Sequence, residues 1–129
     1  MILIAERDQS VRALERHFLE RAGFEVEFAD DGLTMLERVR ATRPAVIVTE
    51  ILIPKLDGLT LCRRLHEDRS TRDIPVIVFS ILSAAPRAAE AGAFAFLRKP
   101  LVESVFVGII QEAIAAQPTQ AKEKQWAPQ

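Results

Sequence analysis

Short, almost uninterrupted apolar runs alternate along this chain with stretches in which apolar residues recur every three to four positions. The runs fall at Ile2–Ala5, 24–29, 45–49, 75–79 and 93–97. The first, third and fourth are nearly continuous in Ile, Val and Leu, as strands buried on both faces should be. The second alternates strictly through Phe24, Val26 and Phe28, the pattern of an edge strand with one wet face. Five helical segments separate and follow them. The first puts Val11, Leu14, Phe18, Leu19 and Ala22 on one stripe, with Asp8 or Ser10 as N-cap and Gly23 as its stop. The second uses Leu33, Leu36 and Val39 behind Asp30 or Asp31. The third runs from Gly58 to about Asp68 with Leu59, Cys62 and Leu65 inward. A short alanine-rich helix spans roughly 83 to 91. The last carries Val102, Val105, Phe106, Ile109, Ile110, Ala113 and Ile114 on a broad apolar face.

Strand–helix alternation with right-handed crossovers predicts an α/β fold. The expected architecture is a flavodoxin-like (βα)5 doubly wound sandwich around a five-stranded parallel sheet. Ligand chemistry in such sheets sits beyond the carboxyl ends of the strands. That singles out Glu6, Arg7, Glu50, Ser80 and Lys99. Residues 1–116 read as one domain, and 117–129, which lack apolar period, as a flexible tail.

At 129 residues, 49% hydrophobic and 27% charged, the chain is long enough to bury a core without staples. One cysteine, Cys62, excludes an internal disulfide and a cysteine-clustered zinc site. A net charge of -1 gives no field toward nucleic acid or an anionic membrane. No apolar run is long enough to span a bilayer, and no signal peptide opens the sequence, so a cytoplasmic protein is expected. His17 and His66 have no second ligand at metal spacing and read as solvated.

The motifs in order are Ile2-Leu3-Ile4-Ala5 before a charged cluster, Asp31-Gly32, Glu50 through Pro54, Asp57-Gly58, Ile74-Pro75, Ala91-Gly92 and Lys99-Pro100. In this order and spacing, over roughly residues 1–115, the chain resembles a response-regulator receiver domain. The resemblance implies a phosphoacceptor at position 50, with acids after the first strand holding Mg²⁺. It also assigns Ser80 and Lys99 as phosphate contacts and Phe96 as the aromatic switch residue. Two positions depart from the pattern: Glu50 replaces the acceptor aspartate, and Arg7 replaces one of the two acids. Glu6 and Glu50 against Arg7 and Lys99 sum to zero charge, and a guanidinium cannot serve as a ligand. The expectation is an atypical receiver, a pseudo-receiver, with no cofactor because Mg²⁺ binding is lost. Arg7 is expected to bridge Glu6 and Glu50.

Three readings of Glu50 stand open. It pairs with Arg7 as an inert lock; it acts as a standing mimic of the phosphorylated state; or it accepts phosphate in a conventional phosphorelay. Its single charge is less than the roughly 1.5 to 2 of a phosphoryl group. A flavin or nucleotide site lacks the Gly-rich loop it would need after the first strand. The fourth helix is about a turn shorter than in chemotaxis-type relatives. The fifth strand reads Phe94-Ala95-Phe96 instead of carrying acids. Phe94 either stands out as an interaction residue, with Val107, or folds back over the short helix. The leading expectation is a stand-alone, non-enzymatic module that binds other signalling proteins, or a second copy of itself, through the face of the fourth helix, fifth strand and fifth helix.

Overall fold

The computed structural model describes residues 1–116. Five strands form: β1 (Ile2–Ala5), β2 (Val26–Ala29), β3 (Val46–Thr49), β4 (Val76–Ser80) and β5 (Ala95–Arg98). All pair in parallel, in the order β2-β1-β3-β4-β5. Five helices follow them in alternation: α1 (Gln9–Arg21), α2 (Gly32–Thr42), α3 (Gly58–Glu67), α4 (Ala85–Glu90) and α5 (Glu103–Ala115). The flavodoxin-like sandwich is the observed fold. The flexible tail expected over 117–129 lies outside the described residues.

The pleat sorts each strand between two cores. In β1, Leu3 and Ala5 face a cluster with Met35, Val39 and Leu61 of α2 and α3. Ile2 and Ile4 face the other side, against Leu19 of α1 and Phe106 and Ile110 of α5. A third, smaller cluster joins Ile51, Leu59 and Val78 to Ala84 and Ala88, beneath the short α4. Pro86 stands in the first turn of α4, where its missing N–H costs nothing.

Three aspartates set where helices begin. Asp8 accepts from the N–H groups of Ser10 and Val11, Asp31 from Thr34, and Asp57 from Leu59 and Thr60. Gly23, at φ +94°, ends α1 in a conformation that side chains disfavour.

The helix stripes differ from expectation in three places. Leu14 is 47% exposed, and Glu15 lies on the buried line with Leu19. The Asp8 cap fixes the phase of α1, and that phase points position 15, not 14, at the sheet. In α2, Leu33 is exposed and Met35 is buried. In α5, Phe106, Ile110 and Ala113 are buried, whereas Val102 and Val105 are 51% and 53% exposed.

Candidate functional site

The carboxyl ends of β1, β3, β4 and β5 converge on four side chains: Glu6, Glu50, Ser80 and Lys99. The backbone of Glu50 is held on every side. Its N–H donates to the Ala5 carbonyl, continuing the ladder, and its own carbonyl accepts from the Thr49 hydroxyl at 2.9 Å. Gly58 packs so closely here that a Cβ would stand 2.2 Å from the Glu50 carbonyl oxygen. Only glycine lets the start of α3 approach this loop.

The carboxylate of Glu50 is buried and turned inward. The Ser80 hydroxyl donates to its Oε1 at 2.6 Å, and the Leu52 N–H to the same oxygen at 3.3 Å. Ser80 Oγ in turn accepts from the Leu82 N–H at 3.2 Å, tying the pocket to the segment that leads into α4. Lys99 Nζ lies 2.8 Å from Glu6 Oε1 and 3.3 Å from Glu50 Oε2. The second contact is an ion pair with no aligned hydrogen bond, which leaves Oε2 without a donor. Burial works against the Lys99 charge, but the Glu6 hydrogen bond and the two carboxylate charges outweigh it and hold its pKa above the ordinary lysine value. The Lys99 ammonium also lies 5.4 Å from the centroid of the Phe79 ring.

Arg7 is not the bridge. It is exposed, and among the described residues it forms no ion pair with Glu6 or Glu50. The side chain leaves β1 where the strand turns to the α1 cap, and a guanidinium there stays solvated at no desolvation cost. Lys99, arriving from β5, takes the place between the carboxylates. The charge count therefore changes too. Glu6 and Glu50 against Lys99 leave the pocket at -1, not zero.

Arg12, which the sequence reading passed over, instead braces this end of the molecule. Its guanidinium donates to the Glu6 and Ala29 carbonyls and to Asp30. Glu15 was also missed, because an acid in an apolar stripe carries no periodic signal.

As a Mg²⁺ site the residues do not fit as they stand. The ammonium of Lys99 occupies the space between the two acids, and position 7 presents a cation. Among the described residues, no group of three or more His, Cys, Asp or Glu side chains is arranged to hold a metal.

The remaining predicted residues separate. Phe96 is half-buried against the small cluster under α4 and lines a cavity of about 280 Å³ with Leu97, Leu101, Val102 and Val105. Phe94, 39% exposed, lies at the other end of β5, beside a hollow formed with Ile74, Pro75 and Ala116. Val107 does not join Phe94. It lines a groove between α1 and α5 with Phe18, Ala22 and Ser104. The outward apolar residues on the β5 side are Val102, just before α5, and Val105 within it.

The model of the response regulator receiver domain matches residues 2–111. The chain belongs to this family. Its curated relatives include the transcriptional regulatory protein CseB of Streptomyces avermitilis, 37% identical over 116 residues, covering 88% of this chain and 48% of that protein. The response regulator MprA of Mycobacterium leprae is 41% identical over 103 residues, covering 77% of this chain and 44% of that protein. The chain thus spans about half the length of these relatives. A solved structure of a putative response regulator from Chloroflexus aurantiacus superposes with a TM-score of 0.84 at 29% identity, covering 88% of this chain and 96% of that one. This is therefore a receiver domain of two-component signalling, a signalling module. No helix among the described residues is long and apolar enough to cross a membrane.

Proposed function

We propose that this receiver works through protein contacts without aspartyl phosphorylation and without Mg²⁺, with Glu50 as a standing internal anion. One observation carries the reading. Ser80 and Lys99, the groups that the family resemblance assigns to the phosphoryl oxygens, already hold the Glu50 carboxylate. Of the possible roles for Glu50, an inert pair with Arg7 loses its support because Arg7 stands outside. A partial mimic of the phosphorylated state gains it. The recipients are other proteins of a signalling pathway or a second copy of the chain, met on the α4–β5–α5 face. There Val102 and Val105 are exposed near Phe96, and Phe94 is exposed at the opposite end of β5. Nucleic acid and membrane are not partners of this domain in the proposal, and its place is the cytoplasm.

The second reading, a phosphoacceptor that uses Glu50, draws on the relatives named as response regulators and on the Glu50 oxygen that lacks a hydrogen bond. Incubation with acetyl phosphate and Mg²⁺, followed by intact mass spectrometry, separates the two. The proposal expects no phosphate adduct, and amide NMR signals of Glu6, Glu50 and Ser80 that stay put as Mg²⁺ is added. An adduct that disappears in Glu50→Gln overturns it in favour of the second reading. Saturable shifts with Mg²⁺ overturn its metal-free part.

A further inference from the structure

Glu15 lies on the sheet-facing side of α1, fully buried, and neither carboxyl oxygen has a hydrogen-bond partner among the described residues. A buried, unpaired carboxylate is costly, and the usual relief is to remain protonated. The charges that reach Glu15 come from four directions: Glu6 after β1, Glu50 after β3, Lys99 after β5, and Arg12 on its own helix. The other elements packed on α1 bring their charges to the surface instead. On α5, Glu103 pairs with Arg21 and Glu112 is exposed. At β2, Glu25 is exposed and Glu27 pairs with Arg38.

Two carboxylates thus share one lysine, and the buried Glu15 carboxyl lies within reach of the same charges. Were all three carboxyls ionised, the cluster would carry two uncompensated negative charges away from water. Glu6 and Glu50 each have donors, from the Asp8 N–H, the Ser80 hydroxyl, the Leu52 N–H and Lys99. Glu15 has none, so it is the group that keeps a proton.

We propose that Glu15 is a proton-binding site that sets the charge of the acid pocket and thereby the hold of Lys99 on Glu50. With Glu15 neutral, Lys99 serves Glu6 and Glu50 alone. Ionised, Glu15 becomes a third claimant for the same ammonium. The hydrogen-bond path from Glu50 through Ser80 to the Leu82 N–H carries the change to the segment before α4. Burial first, and then the Glu6 charge, push the Glu15 pKa up to about 8, with Glu50 acting in the same direction and Lys99 and Arg12 opposing. The group therefore changes state close to neutral pH, where ordinary carboxyls do not.

This inference rests on the reading of Glu50 as a standing anion in the pocket, and the two fail separately. A phosphate adduct on Glu50 defeats that reading and leaves the titration of Glu15 in the unmodified protein to be seen. The test is ¹³C-carboxyl NMR on glutamate-labelled protein, titrated from about pH 5 to about pH 10. One carboxyl should titrate near 8 and be missing from Glu15→Gln. Amide signals of Leu52, Ser80 and Leu82 should move with the same midpoint, and not in Glu15→Gln. In Glu50→Gln the midpoint should fall, because a neighbouring negative charge has gone. Glutamates that all titrate in the ordinary range overturn the proposal. So does a midpoint that ignores Glu50→Gln, or an amide response that survives in Glu15→Gln.

Discussion

Lys99 and Arg7 carry the same formal charge near the same strand ends, yet their energetic weights differ widely. The Lys99 side chain is 13% exposed and touches two carboxylates that are 3% and 6% exposed. Removing one partner from such a buried group leaves charge uncompensated, at a cost on the order of 3–5 kcal/mol. Lys99→Met should therefore lower stability by about 3 kcal/mol in urea melts. Adding Glu50→Gln should restore part of that loss, because it removes one of the two stranded charges. Arg7→Ala should stay within about 0.5 kcal/mol of the parent, as exposed positions do. Equal losses at positions 7 and 99 would mean that both cations share the pocket, contrary to the geometry described here.

At the scale of elements, what a helix exposes decides which face can meet a partner. Phe106 and Val105 are neighbours on α5 with opposite environments, one fully buried and the other 53% exposed. Phe106→Ala should cost about 3–5 kcal/mol. Val105→Asp should change stability by no more than about 0.5 kcal/mol. If the α4–β5–α5 face mediates self-association, sedimentation velocity should find it weakened in Val105→Asp and retained in Val107→Asp, since Val107 lies in the α1–α5 groove. The reverse pattern would move the interface to that groove. Much of this layout was legible in the chain. Continuous Ile, Val and Leu runs announced the buried strands, and Asp8 and Asp31 were each one of two acceptors placed where a helix N-terminus needs one. Strand-end placement pointed to Glu6, Arg7, Glu50, Ser80 and Lys99, and the fold brings all of these but Arg7 into one pocket. The losses share one cause: hydrophobicity counts residues but does not fix helical phase. Leu14 looked like core, until the Asp8 cap set the rotation and turned the unremarked Glu15 inward. For the same reason, nothing in the order Glu6-Arg7 told which cation would reach Glu50. That depends on where β5 ends in space, not on nearness along the chain.

For the whole molecule, these ionisable groups predict the shape of stability against pH. Asp31, Asp57 and Asp68 have pKa values held below the ordinary 3.8. At Asp31 and Asp68 the main cause is a backbone N–H donor, from Thr34 and Ser70. At Asp57 burial pushes upward, but the Thr60 hydroxyl and backbone donors outweigh it. Their stabilisation is complete above 3.8 and is lost as pH falls through the folded values. Glu15 acts with the opposite sign. Between 4.5 and about 8 the folded protein keeps a proton that the unfolded chain has released, so stability declines as pH rises through that window. The raised pKa of Lys99 keeps its contribution intact until pH passes the ordinary lysine value of 10.5. The optimum should therefore lie on the acid side of neutral, near pH 5, with a loss on the order of 4 kcal/mol by pH 8 from Glu15 alone. Glu15→Leu should abolish that decline in urea unfolding followed at a series of pH values, because an apolar side chain fits the stripe with Leu19 and has no proton to release. Glu15→Gln should also flatten the profile, but without the full gain, since its amide stays buried without a partner. A parent protein whose stability is level from pH 5 to pH 8 would mean that water or a neighbouring group already solvates Glu15, and the pocket would then hold both its acids and its lysine without a proton to trade.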